Sequence, residues 1–194
     1  MSPFLTELLG ALLTAASVIT AVHERWTTWL FAAGSAVLYA FVYWEAGLHV
    51  SAQIQAIYLI SSVYGLHAWR TKGGQPGTEE RIKRAGPRVR WGIVGAVGGG
   101  TAVLYFLNRG SAGAEHVLWD ALLVMTAITA QLLMTRKYVE CWWLWIFVNV
   151  GYLPMLYFQG LWFTFGVYIL LGYYTLRGAR DWYRQLNHHS RVPT

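Results

Sequence analysis

Charge is what this sequence has least of: 12% of its 194 residues are Asp, Glu, Lys or Arg, against 56% hydrophobic. A soluble domain carries about a quarter charged residues, so the balance argues against a water-soluble globule with an aromatic core. Cysteine is nearly absent, and the single Cys141 rules out an intrachain disulfide. The histidines (His23, His49, His67, His116, His188 and His189) show no metal-ligand spacing with Cys or carboxylates, so no metal is expected. His188 and His189 read as solvated members of a polar tail. An ATP-binding P-loop, a zinc-protease signature and a nucleophile elbow are all missing. With no paired midspan carboxylates either, the expectation is a protein that is not an enzyme, has no catalytic residues or cofactor, and cannot itself harness ATP. The net charge of +6 is not a nucleic-acid footprint, because the basic residues lie in connections and no nucleic-acid motif accompanies them. Met1 to Thr6 holds no Lys or Arg, so the first apolar run lacks the basic leader of a secretory signal and is read as a membrane helix.

What is abundant points to a bilayer. Apolar runs near the roughly 17–25 residues that cross a membrane occur at Phe4–Val22, Thr27–Trp44, Val50–Trp69, Trp91–Leu107, Val117–Met134, Trp142–Phe158 and Trp162–Leu176. The chain also has 11 Trp and 12 Tyr, many near run ends, where amphipathic rings settle at the lipid boundary. Seven spans place Arg25, the cluster Arg70 to Arg90, the pair Arg136 and Lys137, and the tail arginines on one side. That accounts for all of the 15 Lys and Arg except Arg109. Basic residues stay cytoplasmic, so the expected protein lies multi-pass in the plasma (inner) membrane, N-terminus outside and C-terminus in the cytoplasm. Residues 72–90, rich in Gly and Pro, read as a flexible cytoplasmic linker, and their basic run attracts lipid headgroups.

Sliding the chain by 113 residues aligns Trp29 with Trp142, Val37 with Val150, Tyr39 with Tyr152, Gly47 with Gly160 and Leu48 with Leu161. It also aligns Gly65 with Gly178 and Trp69 with Trp182. The expected fold is therefore an all-α membrane protein. Seven transmembrane helices form two parallel three-helix repeats (1–71 and 115–183) joined by an inverting fourth helix (91–108), with the linker at 72–90 and a tail at 184–194. Parallel repeats are a transporter device, with the solute site between the halves near the midplane.

Polar groups inside spans point to function. Trp142, Trp145, Asn149 and Tyr152 recur at steps of three, four and three, which puts them on one helical face. Asn149 lies about 10 Å along the helix from Trp142 at roughly 1.5 Å per residue, close to mid-membrane. Its amide offers donors and an acceptor for sugar hydroxyls or a carboxamide, and the indoles offer flat faces for a cationic ring. The competing reading makes Asn149 a tie between helices and the tryptophans interfacial anchors. The repeat equivalent of Asn149 is Ala36, so polar recognition is lopsided. Gln131 and Gln55 face a pathway or pair with neighbouring helices. Asp120 and Glu45 draw in a cationic solute or lie in headgroup water, and Gly95 with Gly99 forms a small-residue pair suited to helix packing.

The stretch from Trp119-Asp120-Ala121 through Ala130-Gln131, Lys137 and Glu140 to Trp142-x-x-Trp145-x-x-x-Asn149 resembles the Pnu family of bacterial vitamin transporters. Leu38-Tyr39, Gly47-Leu48, Tyr64-Gly65 to Trp69 and the Gly160-Leu161 turn fit the same family, so the resemblance runs from Trp26 to Trp182 apart from the linker and fourth span. It implies a three-one-three bundle like that of SWEET-type sugar transporters in opposite membrane orientation. It also implies facilitated diffusion of a vitamin that a cytoplasmic kinase then traps. Relatives carry nicotinamide riboside, thiamine or riboflavin. Trp142, Trp145 and Asn149 match the nicotinamide riboside branch, which makes that NAD precursor the leading substrate; Tyr152 from the same helical face, with Gln131 and Tyr39, completes the candidate site. Gly151 departs from the family pattern, and a pocket enlarged there would suit thiamine. The alternative function is a substrate-binding subunit of a multi-component vitamin pump. Expected partners are the small-molecule vitamin and membrane lipids, not nucleic acid, and a homo-oligomer stays open.

Overall fold

The computed structural model describes residues 3–45, 49–71, 82–110, 117–158 and 162–189. The helices among them are α1 (Pro3–Val22), α2 (Thr27–Glu45), α3 (His49–Thr71), α4 (Pro87–Asn108), α5 (Val117–Thr135), α6 (Cys141–Phe158) and α7 (Trp162–His189). The Gly47-Leu48 and Gly160-Leu161 turns expected from the sequence lie outside the described residues. Apolar runs of this length satisfy their backbone polar groups internally only as helices, which is why the spans read as apolar runs fold this way.

Helix α2 packs against both α1 and α3, and α6 against both α5 and α7. The two groups meet through α1 on α7 and through α3 on α5, while α4 lies on α5. Inside, large rings are fully buried: Trp29 and Trp142 are each 1% exposed and Trp182 is 0%. Outside, large apolar side chains such as Phe41, Ile60, Trp91, Leu107 and Val150 are bare, which suits a surface bathed in hydrocarbon rather than water.

Equivalent positions 113 residues apart make equivalent contacts. Trp29 meets Trp69 edge-on with centroids 5.3 Å apart at 89°, and Trp142 meets Trp182 at 5.3 Å and 87°. A Cβ added at Gly65 would strike the Trp29 ring at 2.4 Å, and one added at Gly178 the Trp142 ring at 2.5 Å. Both glycines exist to let an indole lie against helix backbone. Helices α1 and α5 also end alike. Glu24 and Lys137 both take positive φ, 52° and 51°, in the left-handed position that closes a helix. Glu24 N–H donates to Ala21 O and Lys137 N–H to Met134 O, each at 3.0 Å. Arg25 N–H donates to Thr20 O at 3.0 Å and Tyr138 N–H to Leu133 O at 3.1 Å.

Three expectations change. Residues 82–90 are not a free linker: Lys83 pairs with the α5–α6 turn, and α4 starts at Pro87, four residues before the apolar run. Proline at a helix start lacks only an N–H that would be unpaired anyway. Helix α7 runs through the supposed tail to His189, because Ala179 and Trp182 are buried while Arg180 and Arg184 face outward, an amphipathic continuation. Gly95 and Gly99 meet no other helix among the described residues, with open space within 4 Å of a Cβ at either. It is Gly100 that sits against Met125 of α5.

Candidate functional site

The face read from steps of three and four is real. Trp142, Trp145, Asn149 and Tyr152 point inward or are half-buried, whereas Trp143, Phe147 and Val150 are exposed. Their surroundings differ. Trp142 is held between Gly178 and Trp182 of α7 in the tryptophan core and leaves no surface for a solute. Asn149 is 8% exposed, and its Nδ2 donates to Thr175 Oγ1 of α7 at 3.1 Å. Thr175 in turn donates to Leu171 O at 2.6 Å. The helix tie therefore exists, but it uses only one of the amide's bonds, and Asn149 Oδ1 accepts none among the described residues.

Two more polar groups on this side make no hydrogen bond among the described residues, and one of them is fully buried. The half-buried Trp145 keeps its indole N–H fully buried with no acceptor. Gln131 of α5 is 8% exposed and has no hydrogen bond among the described residues. Gln131 precedes the end of α5 by four residues and Trp145 follows the start of α6 by four, so both lie about 6 Å from the connecting turn. Asn149 lies a further turn in. A buried donor or acceptor left unmet costs about 1–3 kcal/mol. A polar solute with sugar hydroxyls or an amide is the kind of ligand that relieves this.

Farther along, the Tyr152 hydroxyl donates to the Asp120 carboxylate, and Tyr152 stacks edge-on with Tyr168 at 5.7 Å. Asp120 is thus joined to the site face, with its side chain exposed. Tyr39 lies in the other half, half-buried with its ring where a Cβ on Gly10 would reach 3.2 Å. The α6 residues share one face and Gln131 lies at a matching depth on the adjoining α5; Tyr39 sits apart as the counterpart of Tyr152. Gln55 is half-buried on α3, and the Glu45 side chain lies outside the described residues. Gly151 does not enlarge a pocket: Leu123 fills its space, 2.4 Å from where a Cβ would sit, and Trp119 Nε1 donates to Gly151 O at 3.1 Å. An open crevice of about 330 Å³ between α3, α4 and α5, lined by Tyr64, Ile93, Leu132 and Arg136 among others, contains none of the six expected residues.

Sequence reasoning missed Thr175, and it missed the pair Glu24 and Lys137, whose Nζ and Oε2 lie 2.7 Å apart. The signal for the pair was present, since a shift of 113 places an acid on a base at the same turn position.

Residues 4–184 match the sequence pattern described as nicotinamide mononucleotide transporter. The chain is 26% identical over 200 residues to the nicotinamide riboside transporter PnuC of Escherichia coli, covering 91% of this chain and 84% of the relative. It is 26% identical over 144 residues to the riboflavin/roseoflavin transporter RibM of Streptomyces davaonensis, covering 73% of this chain and 67% of the relative. The crystal structure of the vitamin B3 transporter PnuC superposes with a TM-score of 0.74 at 23% identity, over 95% of this chain and 83% of that one.

Proposed function

The chain belongs to the nicotinamide mononucleotide transporter family, and from that premise we propose that this membrane transporter imports nicotinamide riboside by facilitated diffusion. The observation that carries the substrate is a set of polar groups on α5 and α6 with bonding capacity to spare: the fully buried Trp145 indole N–H, which has no acceptor, and the Gln131 amide and Asn149 Oδ1, which make no bond among the described residues. A riboside supplies hydroxyls and a carboxamide to these groups and a cationic ring to the Trp145 face. A mononucleotide is disfavoured, because α5 and α6 contain no Lys or Arg to neutralise a buried phosphate. Tyr152 orders the outer end of the site, Tyr39 is its counterpart across the pathway, and Trp142 supports the site from behind.

The organisation we propose is two parallel three-helix repeats, 1–71 and 115–183, joined by the inverting helix α4. Its support is the shared turn geometry of Glu24 and Lys137, the paired indole–glycine contacts, and the reciprocal packing of α1 on α7 and α3 on α5. The N-terminus is outside, as the basic asymmetry requires. A cysteine at Gly77 is expected to react with an impermeant thiol reagent only from the cytoplasmic side, and one at Ser111 from outside; reversed labelling overturns the orientation.

Purified protein is expected to bind nicotinamide riboside more tightly than thiamine, riboflavin or the mononucleotide. Vesicles containing only this protein should equilibrate the riboside without ATP and regardless of proton uncouplers. Accumulation above equilibrium in empty vesicles would sink facilitated diffusion, and failure to carry solute alone would favour a subunit of a larger pump.

A further inference from the structure

The turns after α1 and α5 are built alike and face each other; Arg70 lies 4.9 Å over the Trp26 ring at the first, but among the described residues only the second is bridged by linker backbone. At the facing positions Lys137 Nζ contacts Glu24 Oε2 at 2.7 Å and lies 5.0 Å from the centre of the Trp69 ring, while Trp69 and Trp182 stack behind at 6.4 Å. The pair and the rings close this end of the protein between the two halves. Around this end Trp29, Trp142 and Trp182 all bury indole N–H groups with no acceptor.

The asymmetry comes from residues 83–85. Lys83 N–H donates to Lys137 O at 3.1 Å and Val139 N–H to Lys83 O at 3.1 Å, so the linker adds a short bridge to the second turn on either side of Tyr138. Lys83 Nζ also lies 4.9 Å from the Tyr138 ring centre. Both carboxylate oxygens of Glu140 accept from Ala85 N–H at 3.0 Å, and Arg90 approaches one of them at 3.6 Å. The counterpart of Glu140 at the first turn is Thr27, which cannot supply such a carboxylate, and the described residues contain no segment docked there in the same way. Open space adjoins each turn, about 390 Å³ beside His23 and about 330 Å³ beside Tyr138, so room to move does not distinguish them. The brace does.

We infer that Glu140 is a positioning residue for transport: it pins residues 83–85 on the second turn, holds Lys137 in place, and leaves the first half, carrying Glu24, to swing when this end opens. This rests on the transporter reading, and half of its test needs no substrate. Cys141 is free and fully buried beneath the closed turn, so the rate at which a permeant maleimide reaches it reports opening. Glu140→Asp shortens the brace yet keeps the negative charge beside the Cys141 thiol, so it is the deciding variant: it and Glu24→Gln are each expected to speed labelling about tenfold, with Thr27→Ala within about twofold of the parent. Parent-like labelling of the folded Glu140 variant overturns the inference.

The moving half is decided separately in a Cys141→Ser background. Bridge partners sit about 4.8 Å apart, within disulfide range, so Lys83→Cys with Tyr138→Cys can tether linker to turn. Transport is expected to survive that tether and to stop when Glu24→Cys and Lys137→Cys are joined by a short bis-maleimide. A linker tether that also stops transport overturns the inference. If the untethered protein carries no riboside, the substrate reading fails while the labelling result still stands.

Discussion

The two halves of the protein place their polar side chains differently: α1 and α2 pair hydroxyls with each other, whereas α5 and α6 keep amides and an indole with bonding capacity to spare. In α1 and α2, Thr14 and Ser35 hydroxyls bond each other at 2.6 Å, and Ser35 also reaches Gly10 O at 3.1 Å. In α5 and α6, Gln131, Asn149 and Trp145 keep unmet bonding capacity, and their counterparts 113 residues earlier are Val18, Ala36 and Ala32. The tryptophan–glycine skeleton is the same in both halves. On the proposed reading the two halves share a scaffold and one of them carries the recognition chemistry, which suits an asymmetric solute because a site with two equal halves would present the same groups to its two different ends.

The largest effects should test the shared skeleton. Trp29→Ala and Trp142→Ala each empty a fully buried site, and such truncations cost about 3–5 kcal/mol of stability. The comparison predicts equal losses, seen as equal drops in melting temperature or denaturant midpoint in detergent. A Trp142 variant that stayed stable but lost riboside binding would break it, by moving Trp142 from skeleton to site.

Next come the groups that differ. Asn149→Ala is expected to weaken riboside binding by about one to two decades, the equivalent of roughly 1–3 kcal/mol for a buried partner lost. Trp145→Ala should cost a comparable amount and Gln131→Ala less. Thr175 keeps its bond to Leu171 O when Asn149 is truncated, so the melting temperature should fall only slightly. Unchanged affinity together with a large melting loss would make Asn149 a tie and nothing more.

Much of this was legible in the sequence, for identifiable reasons. Apolar length gives helix existence, so spans such as Thr27–Trp44 and Val117–Met134 differ from α2 and α5 by a single residue at one end. Length says nothing once a helix leaves the bilayer, and α7 therefore outran its apolar run by thirteen residues, held by Trp182. Periodicity found the α6 face but could not tell Trp142, which packs on Gly178, from Trp145, whose donor is free, since both are indoles on one stripe. The brace was illegible because Glu140 meets the backbone of Ala85 across 55 positions of chain, and backbone partners leave no residue signature.

The smallest effect should fall on the paired turns, and it separates stability from gating. Glu24 and Lys137 each hold a left-handed backbone that favours glycine, a strain of order 1–3 kcal/mol per residue. Losing their ion pair opposes that relief: the side chains are only 23% and 15% exposed, so removing one partner strands a mostly buried charge and costs more than the roughly 0.2–1 kcal/mol of an exposed pair. Glu24→Gly and Lys137→Gly relieve the strain and lose the pair, so the two terms largely cancel. Each is expected to shift stability by less than about 1 kcal/mol, in either direction, while the closed end loosens and Cys141 reacts faster. A purely structural pair gives the opposite pattern, in which thiol protection follows the melting temperature and a variant as stable as the parent is also as well protected. Measuring both on the same two variants decides whether residues this strained are kept for the fold or for the opening of the gate.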